Sequence, residues 1–215
     1  MLIAQVLSAS TGGIGRHVAS LLPRLLERGH QIQVFCPDLT AQAQGFAEVP
    51  GVGAAVEVLP LGRLPRARSA DVVHAHGYKA GALAAAATLA GPPLVVTWHN
   101  AILGGGRSAA LGRLLQRGVA RAADLTLGAS SDLVTEALRL GARRARLGPV
   151  AAPVLAPALH SREDLRRDLG LGPSDVAVLT VTRLAPQKNL GLVLDVAAAL
   201  DGRTDLQFLV VGDGP

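Results

Sequence analysis

Aromatic residues, cysteine and lysine are all scarce in this 215-residue chain, and each scarcity excludes something. Aromatics make up 2% of the sequence, so bases have almost nothing to stack on, and nucleic acid is not an expected partner despite the formal net charge of +5. The one cysteine, Cys36, can form no internal disulfide, which points to a reducing, cytoplasmic setting. No Gly-Lys dipeptide occurs, which rules out a Walker A phosphate loop. The first residues lack the basic flank and cleavage site of a signal peptide and read as a strand. The longest apolar run, 80–96, is interrupted by Gly91-Pro92-Pro93, so it reads as a helix followed by a strand rather than a membrane span.

What is present is an alternation of strand-like and helix-like segments. Strands are expected near 2–7, 31–36, 54–59, 71–75, 94–98, 125–128 and 145–147, and helices near 14–28, 78–90, 108–122 and 131–140. This order predicts an α/β fold, with a doubly wound parallel sheet covered on both faces, over residues 1–150. The proline-rich stretch from Gly148 to Pro157 suits neither regular element, and 151–160 is expected to be a linker. Residues 161–215 then offer a helix capped by Ser161 with Asp164, a strand at 176–181, a helix at 189–200 and a strand at 206–211. Parallel strands need cover on both faces, so this second domain is expected to be incomplete.

Two loops carry the chemistry. In Val181-Thr182-Arg183-Leu184-Ala185-Pro186-Gln187-Lys188-Asn189, Arg183 and Lys188 stand five residues apart between a strand and a helix, where two cations and free backbone amides suit a diphosphate. Lys188 is one of only two lysines; the alternative is a solvated loop with two ordinary cations. Near the N-terminus, Thr11-Gly12-Gly13-Ile14-Gly15-Arg16-His17 leads from the first strand into an apolar-periodic helix, and Gly12 and Gly13 would let a phosphate or sugar approach backbone amides. Val18 stands where the dinucleotide fingerprint needs a third small residue, and Asp38 is the only candidate ribose-binding acid. A nicotinamide-dependent enzyme is therefore disfavoured.

These loops resemble, together with Arg28-Gly29-His30-Gln31-Ile32-Gln33-Val34, Asp71-Val72-Val73-His74-Ala75-His76, Val96-Thr97-Trp98-His99-Asn100, Ala129-Ser130-Ser131 and Phe208-Leu209-Val210-Val211-Gly212-Asp213-Gly214-Pro215, the retaining GT-B glycosyltransferases of the family 4-like group. The resemblance covers almost the whole chain. It implies two Rossmann-like domains, an N-terminal acceptor-side one and a C-terminal nucleotide-sugar-binding one. The implied reaction is sugar transfer from a nucleotide-diphosphate sugar to a sugar or lipid-linked acceptor hydroxyl, with retention. The donor is a substrate, and no cofactor is implied. The absence of any Asp-x-Asp triplet removes the metal–diphosphate ligand of the other large glycosyltransferase fold, and metal independence is expected.

By the same resemblance, Arg183 and Lys188 would stabilise the leaving diphosphate, Gly12 and Gly13 would face the donor through backbone amides, and His99 would contact the transferred sugar. His99 could otherwise be a satisfied structural histidine. His74 and His76 share one face of a strand; metal ligation lacks a third ligand, and packing is the expected role. His17 has no assigned chemistry. Thr182 and Asn189 stand where the family often has glycine, and Leu147-Gly148-Pro149-Val150 departs from the family's hinge sequence. The family's later glutamate-containing motif is not in these 215 residues, so the chain by itself is expected to be inactive; a non-catalytic binding subunit or relic is the alternative.

Between 101 and 150 there are eight arginines against three acids, which equals the whole formal excess. Arg113, Arg117 and Arg121 form one stripe of the expected helix 108–122, with Leu111, Leu114, Leu115 and Val119 elsewhere. This face fits either contact with an anionic membrane surface or a solvated face of an arginine-rich protein.

Overall fold

The apolar run Leu2–Leu7 forms strand β1, and every other strand of the first unit lies parallel to it. In chain order it is followed by α1 (Gly13–Leu26), β2 (Gln31–Phe35), α2 (Asp38–Gln44), β3 (Val56–Leu59), a 3-10 segment (Leu61–Ser69), β4 (Val72–His76), α3 (Tyr78–Ala87), β5 (Leu94–Trp98), α4 (Gly106–Ala122), β6 (Leu125–Gly128), α5 (Ser131–Arg139) and β7 (Ala145–Leu147). The computed structural model describes residues 1–10, 12–47, 56–102, 106–150 and 157–214. The chain divides into two units, Met1–Val154 and Leu155–Pro215. Of the expected linker 151–160, residues 151–156 lie outside the described set, as do 54 and 55 of the expected third strand.

The seven-stranded sheet has the order β3-β2-β1-β4-β5-β6-β7. Side-chain alternation sorts its residues onto two faces. Ala4, Val6, Val73, Ala75, Val96 and Trp98 share one core with Ala80 and Ala84 of α3, Val119 of α4 and Leu133 of α5. Leu7, Ile32 and Val34 share the other with Val18 and Leu22 of α1. With both faces covered, a parallel sheet is stable. The chain leaves β1 toward one edge through β2 and β3, then returns to place β4 on the other side of β1. The boundary between β1 and β4 is thus where the winding direction reverses.

Two elements are missed by periodicity. The segment Asp38–Gln44 (DLTAQAQ) is short and mostly polar, yet it forms α2, with Thr40 buried and Gly45 closing it at φ +58°. Leu61–Ser69 contains Pro65 and forms a 3-10 segment, which seats Leu64 and Ala67 in the core.

The apolar residues of α4 divide between core and surface. Of its four large apolar residues only Val119 is buried; Leu111, Leu114 and Leu115 are 59%, 66% and 36% exposed. The buried stripe is instead Ala109, Gly112, Gln116, Val119 and Ala120. The cause is close packing against α3, where a Cβ at Gly81 would sit 2.8 Å from Val119 Cγ1. Helices this close admit small residues on the facing side and turn the leucines outward.

The second unit contains α6 (Arg162–Asp168), β8 (Val176–Val181), a 3-10 turn (Pro186–Lys188), α7 (Leu190–Ala199) and β9 (Leu206–Val211). β8 and β9 pair in parallel. Ser161 caps α6: its Oγ accepts the Asp164 N–H at 3.1 Å and donates to Asp164 Oδ2 at 2.7 Å. No described residue of this unit is fully buried, and Leu179, Val181, Leu192 and Leu194 are all more than half exposed.

Candidate functional site

Ligands of open α/β sheets bind beyond the carboxyl ends of the strands, where the winding reverses. In this chain that place is the end of β1 and β4, with the turn into α1 above it. The turn is held from below by α2. Ser10 N–H donates to Thr40 Oγ1 at 3.0 Å, Gln44 Nε2 donates to the Ser10 carbonyl at 3.3 Å, and Ser10 Oγ accepts the Gly15 N–H at 3.1 Å. A Cβ at Gly15 would lie 2.5 Å from Gln44 Cδ, so a larger residue there would displace the side chain that holds the Ser10 carbonyl.

Gly12 and Gly13 are different. A Cβ at either position would meet nothing within 4 Å, and Gly13 opens the helix. Packing asks for glycine at neither position, so what the pair supplies is access. The N–H groups of Gly13 and Ile14 have no partner among the described residues, as expected for a first helical turn.

Beneath this turn lie four histidines. Register pairs Gln5 with His74, Leu7 with His76, and His76 with Thr97, so Gln5, His74, His76 and Thr97 project from one face, and His99 continues the same alternation past β5. His76 Nε2 is 2.8 Å from Gln5 Oε1, and its Nδ1 is 3.3 Å from His99 Nε2. His74 Nε2 is 2.7 Å from Thr97 Oγ1, and its ring lies 4.2 Å from that of His76. His17, from α1, brings its ring to 5.5 Å from His99 and 5.8 Å from His76. His17 Nδ1 is buried without a partner among the described residues.

The electrostatics follow from burial. Desolvation pushes His74 down to about 4, helped by the charges His17 and His99 would carry, and pushes His99 to about 4, with His17 adding to it. His76, 1% exposed, falls well below the ordinary value, and burial also lowers His17. At neutral pH all four rings are uncharged. They can donate to and accept from hydroxyls, but they are no cationic cradle for phosphate. Among the described residues no group of three or more His, Cys, Asp or Glu side chains is arranged to hold a metal ion.

The site therefore gathers more than was expected of it. His99 and the Gly12–Gly13 turn lie at the same sheet end, and His74 and His76 are packed as anticipated. The addition is His17, which had no assigned role, together with Gln5. Strand parity was the available signal: 5, 74, 76, 97 and 99 fall on one face once β1, β4 and β5 are neighbours.

Arg183 and Lys188 belong to the second unit, on the connection from β8 to α7. Both side chains are exposed, and neither enters an ion pair among the described residues. The backbone that carries them is tightly specified. A Cβ at Gly212 would overlap the Thr182 carbonyl oxygen, and one at Gly214 would overlap that of Leu184, so positions 212 and 214 admit no side chain. Leu184 N–H donates to the Asp213 carbonyl at 2.7 Å, which fixes the residue beside Arg183. Asn189, at a position where the family often has glycine, adopts φ +47°, a left-handed conformation that glycine favours and asparagine tolerates.

The family model of the glycosyl transferase 4-like domain matches residues 12–153. Among solved structures, HepE of Anabaena in complex with UDP superimposes with a TM-score of 0.75 at 20% identity, over 100% of this chain and 62% of its own. Sucrose-phosphate synthase of Thermosynechococcus elongatus gives 0.60 at 15% identity, over 99% and 62%. A putative UDP-N-acetylglucosamine 2-epimerase of Listeria monocytogenes gives 0.59 at 14%, over 97% and 62%. The chain thus spans about three fifths of the length of these proteins. At such identities the likeness establishes the fold alone. No curated protein matches the sequence.

Proposed function

We propose, for a chain that belongs to the glycosyl transferase 4-like domain family, that it takes part in moving a sugar from a nucleotide-diphosphate sugar to an acceptor hydroxyl with retained anomeric configuration. The observation that carries the reading is the placement of His99 and the unobstructed Gly12–Gly13 turn at one sheet end, inside the segment the family model matches. In this reading the uncharged His99 meets a hydroxyl of the transferred sugar, while the free amides of the first α1 turn face the donor. Arg183 and Lys188 take the diphosphate. The acceptor oxygen bonds to the anomeric carbon on the face from which the diphosphate leaves, and the departing phosphate oxygen receives the acceptor's proton. Charge grows on that oxygen as the bond breaks, so a cation pair stabilises the transition state more than the ground state without a metal.

The acceptor is proposed to be lipid-linked and the protein to act at the cytoplasmic face of a membrane. Support comes from α4, whose outward side carries Leu111, Leu114 and Leu115 beside Arg107, Arg117 and Arg121 with no acidic residue on the helix. Among the described residues no helix is long and apolar enough to cross a membrane. A non-catalytic reading, in which the first unit binds an acceptor and transfers nothing, is favoured by the second unit's lack of any fully buried described residue.

The test is titration of a panel of nucleoside-diphosphate sugars into isotope-labelled protein, paired with a transfer assay on simple and lipid acceptors. Donor-specific shifts at Gly12, Gly13 and His99 with product formation support the transferase. Shifts with an acceptor alone and no product support the binding module, and no response at these residues to any donor or acceptor rejects both.

A further inference from the structure

Gln5 is an anomaly in β1. It is 1% exposed in a strand whose other inner residues are apolar, and a buried carboxamide is costly unless it is hydrogen-bonded. Its Oε1 lies 2.8 Å from His76 Nε2. A carbonyl oxygen can only accept, so His76 Nε2 carries the proton, and in the neutral ring Nδ1 is left with a lone pair. That Nδ1 faces His99 Nε2 at 3.3 Å, so His99 Nε2 must be the donor. The remaining nitrogen of His99, Nδ1, is then a bare acceptor on a half-buried ring at the sheet end, with no partner among the described residues. The other ionisable groups facing the pair are His17 from α1 and His74 from β4, the latter tilted against His76 with ring centres 4.2 Å apart and tied to Thr97.

We infer that Gln5 and His76 are positioning residues, which act through one another to fix His99 in its Nε2–H tautomer and so present its Nδ1 as an acceptor for a substrate hydroxyl. The chain of bonds sets the chemical class that His99 can read. A hydroxyl donates to Nδ1 and is favoured. A phosphate or carboxylate oxygen, itself an acceptor, finds no proton there and is rejected. The tautomer follows from the orientation of the Gln5 carboxamide, with Oε1 toward His76, and its use on a sugar hydroxyl rests on the transferase reading.

The test is imidazole 15N NMR on the ligand-free 215-residue chain at pH 7.5, which distinguishes a protonated from an unprotonated ring nitrogen for each histidine. Both His76 and His99 are expected as Nε2–H. In Gln5→Leu, which keeps the volume and removes the acceptor oxygen, the His99 preference should relax by a factor on the order of tenfold, the value of one hydrogen bond. His99 found as Nδ1–H in the wild type overturns the proposal without any variant, so a Gln5→Leu protein that fails to fold leaves it decidable. An unchanged His99 tautomer in folded Gln5→Leu also overturns it. No nucleotide sugar enters these measurements. The expected tautomers in a protein that binds no donor or acceptor would refute the transferase reading and leave the positioning intact.

Discussion

Acidification should destabilise the first unit through its histidines before any carboxylate matters. A histidine whose value is lowered by folding binds more protons when unfolded, so its contribution is complete above the unfolded value of 6.5 and is lost as pH falls toward the folded one. For His74 and His99 the folded value is about 4, so the window runs from 6.5 down to about 4. At pH 5 the linkage relation gives a loss of roughly 2 kcal/mol for such a group; with His99 discounted by about half for its exposure, the pair loses roughly 3 kcal/mol. His76 adds to the same direction. Asp132 and Glu136, both held below their ordinary values by hydrogen bonds to Ser130 and Arg139, stay ionised in this range. For a unit of this size about 3 kcal/mol corresponds to a fall in Tm of roughly 6–12 °C between pH 7.5 and 5. Trp98, the sole tryptophan and 1% exposed, reports the first unit alone, so thermal melts followed by its fluorescence at constant ionic strength are the assay. The double variant His74→Gln, His99→Asn should lose much of the dependence. A Tm that moves by no more than a degree or two, or an equal slope in the double variant, would show that these rings are not held neutral by the fold.

Three further outcomes are expected. Replacing Arg183 or Lys188 by alanine should lower transfer by the intact enzyme on the order of a hundredfold or more and leave the melting of the first unit unchanged, since each removes an exposed charge assigned to the leaving group; near-normal kcat/KM in both would remove them from the site. Gly13→Ala should leave stability unchanged or raise it by about 0.4–1 kcal/mol, because nothing obstructs a methyl on this first helical residue, while donor binding measured by calorimetry weakens in both Gly12→Ala and Gly13→Ala; unaltered binding in both would mean the open turn faces solvent only. Vesicles containing anionic lipid should bind the protein in a salt-sensitive manner, losing about 1 kcal/mol for each of Arg107, Arg117 and Arg121 replaced, whereas equal binding to neutral vesicles would leave α4 as a solvated face.

Local sequence determined the elements and the identity of the chemical loops. Strand-like segments matched every strand of the first unit to within about two residues over the described positions, most plainly β1 and β5, because a central parallel strand covered on both faces is mostly apolar along its length. Glycines marked the turn at 12–13, and charge at a strand-to-helix junction marked Arg183 and Lys188. Segments without such a signature, α2 and the 3-10 stretch, were not legible, since polar or proline-bearing residues of so short a length show no period. Tertiary structure alone decided the histidine site. Periodicity says which residues share a face of one strand, but not which strand lies alongside, and Gln5 meets His76 across 71 residues only because the crossover puts β4 next to β1. The same holds for α4: its sequence shows a basic stripe and a leucine stripe, and the approach of Gly81 on α3 to Val119 is what assigns the small residues to the core and the leucines to the surface. Elements are set by local hydrogen bonding and side-chain period; the meeting of distant polar groups is set by strand order, which no local pattern encodes.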